Sequence, residues 1–157
     1  MRIACAHAVG LLTEYGRGVS DFFVAGSWRN RDAIEEVLVA LDEIGASHYS
    51  FVRVGYSEGA AALASPGGAD LAALNSTAVR EVFEQDLEAL HAADRFLLVL
   101  PAGQAAHMEA GIAYGLSKPC YAVGPVERSE TLYRIFDDMF SGVHDLERWL
   151  AETRAAR

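Results

Sequence analysis

Two carboxylates occupy positions where predicted helices should be apolar. Residues 103–115, GQAAHMEAGIAYG, read as a helix of small and aliphatic residues with one full charge, Glu109. A helical wheel at about 100° per residue places Glu109 in an apolar group: Met108, Ile112, Ala113 and Leu116. For residues 76–93 the wheel places Asp86 inside another apolar arc: Val79, Val82, Phe83, Leu87 and Leu90. An ionised carboxylate facing a core is costly unless it is paired or used.

A pair of carboxyl groups in one cleft suits the cleavage of a glycosidic bond. One carboxylate can act as nucleophile or stabilise a cationic transition state, and the other, with a raised pKa, can donate a proton. A departing nucleobase also needs a proton, so the same pair would serve N-glycosidic cleavage. Each carboxylate alone is equally well explained as a helix cap or an ion-pair member. Two of them, both near the third predicted strand, favour a site.

Short apolar runs alternate with helical patterns along the chain. Strands are predicted at 22–27, 47–54, 96–101 and 120–125. The first predicted helix begins at Asn30 or Asp32 and ends before Gly45. Further helices are predicted at 76–93, after Gly103, at 129–140 and at 144–155. This alternation predicts an α/β three-layer sandwich with a parallel, flavodoxin/Rossmann-like sheet of about five strands. Ligands of such sheets bind outside the carboxyl ends of strands. We therefore expect GSWRNR, the loop after Val54 and PAGQAAHME to line the site.

Composition indicates one globular domain. The chain has 157 residues, of which 52% are apolar, and we assign the domain to 21–157 and a poorly defined extension to 1–20. Val19 is a possible true start, which would leave 1–18 outside the native protein. A formal charge of −9 argues against nucleic-acid polymers and anionic membranes as partners, but allows a small phosphate ligand. The two cysteines lack metal or disulfide spacing, so we expect a cytoplasmic protein with no metal and no cofactor.

Three segments together resemble the nucleoside 2-deoxyribosyltransferase-like superfamily. They are FVAGSW, the pattern D-L-x-x-L-x-x-A-D that begins at Asp86, and HMEAGIAYGLSKP, and the resemblance covers roughly 21–125. That group includes deoxyribosyltransferases and N-glycosidases of nucleoside monophosphates. The resemblance implies that Glu109 attacks the anomeric carbon and that Asp86 protonates the leaving base. It also implies a homodimer whose partner closes the site.

The same resemblance puts one loop near the sugar or its 5′-phosphate: Gly26, Ser27, Trp28, Arg29, Asn30 and Arg31. The arginines would supply positive charge, although solvated surface arginines are equally common. A second candidate anion site is the helix N-terminus at 104–107, where Gly103 would let a ligand approach the backbone. His107 either binds phosphate or caps the turn. Phe51 or Trp28 could stack on the base, or belong to the core.

Two departures from the superfamily pattern bear on the reaction. The position six residues before Glu109, often acidic in transferases, is Gly103, and Phe22 and Phe23 occupy the region where a tyrosine commonly orients the nucleophile. Both favour hydrolysis over transfer, with a nucleoside 5′-monophosphate or a related nucleoside as substrate. The alternatives are a glycohydrolase of nicotinamide dinucleotides and a catalytically silent nucleotide-binding or sensor domain. A flavodoxin-like cofactor protein is disfavoured because no G-x-G-x-x-G follows the first strand.

Overall fold

The computed structural model describes residues 20–55 and 71–155. The predicted extension, apart from Ser20, and the middle of the Gly/Ala/Ser-rich loop lie outside the described residues. The elements are β1 Ser20–Ala25, α1 Arg31–Glu43, β2 His48–Tyr49, α2 Phe51–Val54, α3 Leu71–Leu74, α4 Thr77–Ala92, β3 Ala93–Val99, α5 Gln104–Gly115, β4 Cys120–Val123, β5 Asp138–Phe140 and α6 Val143–Ala155, with 3₁₀ turns at Trp28–Asn30 and Thr131–Ile135.

The five strands form one parallel sheet in the order β2-β1-β3-β4-β5. The chain steps outward from β1 to β2 and then returns across β1 to β3, so the winding direction reverses between β1 and β3. In an open parallel sheet this reversal opens a crevice at the carboxyl ends of the two strands. The predicted three-layer sandwich is confirmed, and its crevice lies between Ala25 and Val99.

Side chains of β1 alternate between two cores because successive strand residues point to opposite faces. Phe22 and Val24 pack with α1 and α6 on one face. Phe23 and Ala25 pack with α4 and α5 on the other. Burial on both faces explains why the strand reads as a continuous apolar run. The two helices that carry the candidate carboxylates therefore lie side by side on the same face of the sheet.

Two predicted elements are wrong in part. The strand predicted at 47–54 ends at Tyr49, and the chain turns at Ser50 into the short helix α2. The helix predicted at 129–140 is a 3₁₀ turn followed by the edge strand β5. Tyr133, Phe136 and Phe140 have helical spacing, but the segment instead pairs with β4 through a backbone bond from Asp137 N to Cys120 O of 2.7 Å.

Lys118 ties the end of α4 to the loop after α5. Its ammonium group donates hydrogen bonds to the carbonyl oxygens of His91, at 2.9 Å, and Ala93, at 2.5 Å. A cation at a helix C-terminus satisfies carbonyls that have no partner within the helix and opposes the negative end of the helix dipole. The lysine of the S-K-P motif thus fixes the helix of Asp86 relative to the helix of Glu109.

Candidate active site

Glu109 lies beside the buried stripe of α5 rather than inside an apolar one. The stripe consists of small residues, Ala106, Ala110 and Ala113, which let the helix approach the sheet closely. Glu109 is half-buried at its margin. Met108 and Ile112, which the helical wheel places beside Glu109, are 64% and 40% exposed. The prediction that they share a buried face with Glu109 is therefore wrong. The helical wheel predicted the buried face from the largest apolar side chains, whereas α5 buries its alanines.

Asp86 lies half-buried on α4 and accepts a hydrogen bond from a tyrosine. The hydroxyl of Tyr49, the last residue of β2, donates to Asp86 Oδ1 at 2.6 Å. The Tyr49 ring stacks on Phe23, its neighbour in the sheet, with ring centres 5.4 Å apart. Phe23 in turn stacks on Phe96 at 6.0 Å. This row of rings holds the tyrosine hydroxyl in place at the carboxyl edge of the sheet.

Asp86 lies close enough to Glu109 to affect the ionisation of Glu109. Burial, reinforced by the negative charge of Asp86, raises the pKa of Glu109 to about 8. Burial also raises the pKa of Asp86, but the hydrogen bond from Tyr49 opposes that rise by stabilising the carboxylate. Asp86 therefore ionises first, and Glu109 is mostly protonated at pH 7. Two carboxyls with separated pKa values can divide the acid and base roles of one reaction.

The loop after β1 is closely fitted to its surroundings. A Cβ at Gly26 would lie 2.6 Å from Ile34 Cδ1, so any larger residue would require the buried Ile34 side chain to shift. The Ser27 hydroxyl accepts a hydrogen bond from Arg29 N at 3.3 Å. The Asn30 side-chain amide donates to the carbonyl of Pro101 at 3.4 Å and so joins this loop to the one after β3. The two loops that border the crevice are thus linked directly.

The predicted aromatic residues contact each other. Trp28 and Phe51 meet edge to face, with ring centres 5.0 Å apart, and the Arg31 guanidinium carbon lies 5.9 Å from the centre of the Trp28 ring. Phe51 also packs against the core on the α1 side of the sheet. The carboxyl pair lies on the opposite face of the sheet. The aromatic residues and the carboxyl pair could therefore contact one ligand only if it lies across the carboxyl ends of the strands.

His107 uses both ring nitrogens on protein groups. Nδ1 donates to the carbonyl of Gly103 at 2.8 Å, and Nε2 lies 3.1 Å from the Tyr133 hydroxyl. The two rings stack with centres 5.9 Å apart. These contacts hold the His107 ring against the first turn of α5 and against Tyr133, and whether His107 also binds phosphate stays a prediction. Gly103 is the exposed N-cap of α5, and a Cβ there would meet no described atom within 4 Å, which leaves the approach to the helix N-terminus open.

Sequence reasoning missed Tyr49. It considered a tyrosine only on the first strand, whereas this hydroxyl comes from the neighbouring strand and reaches Asp86 rather than Glu109. The signal that could have found it is the end of β2. If the second strand is taken to end at Tyr49, this tyrosine becomes a candidate site residue, because ligands bind beyond the carboxyl ends of parallel strands.

Residues 20–55 and 71–155 contain neither a metal-binding cluster nor a helix that could cross a membrane. No group of three or more His, Cys, Asp or Glu side chains there is arranged to hold a metal ion. Of the helices in the same ranges, none combines the length and the apolar character that crossing a membrane requires.

Solved structures similar to this chain include two that process nucleosides or nucleotides. A 2-deoxyribosyltransferase from the psychrotolerant bacterium Bacillus psychrosaccharolyticus has a TM-score of 0.58 at 19% identity, over 80% of this chain and 89% of that one. The CMP N-glycosidase BcmB of Clostridium botulinum has a TM-score of 0.53 at 16% identity, over 83% and 97%. The predicted resemblance is confirmed at the level of the fold. No protein-family model and no curated protein matches the sequence.

Proposed function

We propose that this protein hydrolyses the N-glycosidic bond of a nucleoside 5′-monophosphate or a related nucleoside. The observation that carries the proposal is the pair of half-buried carboxyls, Asp86 and Glu109, in which the charge of Asp86 adds to the cost of ionising Glu109. The penalty of keeping two such groups together is hard to explain by packing, but it suits acid–base and nucleophilic work at a glycosidic carbon. The similar solved structures named above support chemistry at this bond in general.

In the proposed reaction the pair supplies one proton and one nucleophile. The proton of Glu109 passes through Asp86 to the departing base nitrogen, while a Glu109 oxygen bonds to C1′ and the C1′–N bond breaks. Asp86 then takes a proton from water, and the water oxygen displaces Glu109 from C1′. Asp86 returns the proton to Glu109. The sum converts the N-glycoside and water into free sugar and free base, with the protein unchanged.

The experiment that tests this function is base release from a substrate panel. Nucleosides, nucleoside 5′-monophosphates and NAD are incubated with the protein, and free base is quantified by chromatography. We expect release from at least one monophosphate or nucleoside. Release from NAD alone would instead favour the dinucleotide glycohydrolase, and nucleotide binding without any release would identify a silent binding domain.

The loop arginines are proposed to bind the 5′-phosphate. We expect Arg29→Ala or Arg31→Ala to raise KM for a monophosphate about 10-fold or more, the order of one charge-assisted contact, and to leave KM for the matching nucleoside unchanged. Arg148→Ala, an exposed arginine on α6, is the control. Equal losses on both substrates, or none, would contradict the phosphate assignment.

We also propose that the protein is a homodimer formed through α4 and α5. Three large apolar side chains are exposed on these helices beside the carboxyl pair: Phe83 at 59%, Met108 at 64% and Ile112 at 40%. Met108 and Ile112 are one turn apart and form a stripe. Covering this patch with a second copy would remove apolar surface from water and close the site.

Sedimentation velocity tests the dimer. The protein is expected to sediment as a dimer, and Met108→Glu combined with Ile112→Glu is expected to give a monomer, because each charge would be buried without a partner. Val39→Glu, at an exposed apolar position on α1, is the matched control and should stay dimeric. A wild-type monomer at all concentrations would contradict the dimer.

A further inference from the structure

The Tyr49 hydroxyl is held in place by its ring and donates a hydrogen bond to Asp86. Its residue is the last of β2, paired with Phe23 across the sheet, and its ring stacks on the Phe23 ring. The phenol oxygen lies 2.6 Å from Asp86 Oδ1. A hydroxyl can donate to a carboxylate in this geometry, and such a bond is among the shorter and stronger kinds.

A donated hydrogen bond favours the charged form of the carboxyl that accepts it. Asp86 and Glu109 disfavour simultaneous ionisation, so the member that is stabilised as an anion leaves the proton on the other. We propose that Tyr49 is a positioning residue whose hydroxyl holds Asp86 as the ionised member of the pair and leaves the shared proton on Glu109. The catalytic consequence of this assignment rests on the proposed function.

Within 20–55 and 71–155, few groups act on the pair from the surrounding elements. From α4 comes Asp86, from α5 comes Glu109, and from the end of β2 comes the Tyr49 hydroxyl. Among the described residues His107, also on α5, hydrogen-bonds Gly103 and Tyr133 instead, and Lys118 is bonded to carbonyls at the far end of α4. No described cation is bonded to either carboxyl, so the Tyr49 hydrogen bond adds to the effect of burial in making the two unequal.

The hydrogen bond also orients Asp86 for proton transfer. Oδ1 accepts from Tyr49, and in the proposed reaction the other oxygen, Oδ2, takes the proton from Glu109 and passes it to the leaving base. A tyrosine that bonded Glu109 would favour the opposite arrangement, with an ionised nucleophile at rest. The resting protein is thus set in its acid form, and its nucleophile is released only as the proton moves to the substrate.

The test measures protonation directly, without relying on turnover. Tyr49→Phe keeps the aromatic stack and removes only the hydroxyl, and carbon-13 NMR titrates the side-chain carboxyls, assigned with Asp86→Asn and Glu109→Gln. In Tyr49→Phe the Asp86 resonance is expected to titrate about one unit higher, and at pH 7 the Glu109 resonance should move toward its ionised value. Tyr114→Phe, at an exposed tyrosine on α5, should change neither.

Asp86→Asn provides a second, independent variant. Without the charge of Asp86, Glu109 should titrate at lower pH than in the wild type. Unchanged titrations in Tyr49→Phe, or a wild type in which Glu109 ionises before Asp86, would overturn the positioning role. If the titrations shift as expected but no base is released from any substrate, the positioning role stands and the proposed function fails. If base is released but the titrations do not shift, the proposed function stands and the positioning role fails.

Where base release is observed, the kinetics add a second readout. Because Tyr49 is proposed to act through Asp86, Tyr49→Phe should lower kcat about 10-fold with KM within about twofold of the wild type. A rise in KM with unchanged kcat would contradict positioning and indicate that the hydroxyl binds substrate.

Discussion

Replacing Glu109 with glutamine is expected to lower the rate of base release at least about 10³-fold, the usual cost of removing a nucleophile or an essential proton donor. Glutamine has nearly the same shape, but its amide neither attacks C1′ nor carries the proton that the base requires. Nucleotide affinity, measured by calorimetry, should stay within a few-fold, because the side chain is proposed to act on the bond being broken. Kinetics and calorimetry on the same preparation separate the two effects.

The matched control is Glu84→Gln, which makes the same chemical change at an exposed position on α4. It should release base at the wild-type rate. If Glu109→Gln retained more than about a tenth of the wild-type rate, a loss smaller than general acid–base catalysis alone supplies, Glu109 would have no role in the chemical step.

The second large effect is on stability, where the same variant should be more stable than the wild type above pH 5. The pKa of Glu109 is about 8 in the folded protein and near 4.5 when unfolded, so between these values the folded state binds more protons. The free energy of unfolding of the wild type therefore falls as pH rises through this window. At about 1.4 kcal/mol per pKa unit, the loss is on the order of 3 kcal/mol at pH 7.

Urea denaturation at pH 5, 6, 7 and 8 measures this difference. Glu109→Gln lacks the ionisation, so the gap between its unfolding free energy and that of the wild type should be small near pH 5 and should widen up to about pH 8. Glu84→Gln should follow the wild type at every pH. Parallel curves for wild type and Glu109→Gln would show that burial does not penalise the Glu109 carboxylate.

The carboxyl pair could be predicted from the sequence because charge breaks a helical pattern. Asp86 and Glu109 were identified as the acidic residues that interrupt apolar arcs, and the structure puts them within electrostatic reach of each other. The buried face of α5 was harder to predict. Met108 and Ile112 were predicted to be buried, whereas α5 packs on the sheet through alanines. Alanine is only weakly hydrophobic, so a hydropathy pattern does not reveal which side of this helix is buried.

Contacts that depend on tertiary structure could not be predicted in the same way. The bond from Tyr49 to Asp86 joins β2 to α4, and nothing local in either segment encodes it. Strand β5 was missed because an edge strand of three residues carries no period of its own, and its pairing with β4 decides its conformation. The link from Asn30 to Pro101 likewise appears only once β1 and β3 are adjacent.

The stereochemistry of the released sugar tests the central claim most directly. If Glu109 attacks C1′ and water displaces it, two inversions give net retention. The reaction is run in water containing methanol, so that part of the sugar is trapped as a methyl glycoside, which does not interconvert between anomers, and the product is examined by proton NMR. A β-nucleotide should yield the methyl β-glycoside. Formation of the α-anomer would show direct attack by solvent and would contradict Glu109 as the nucleophile.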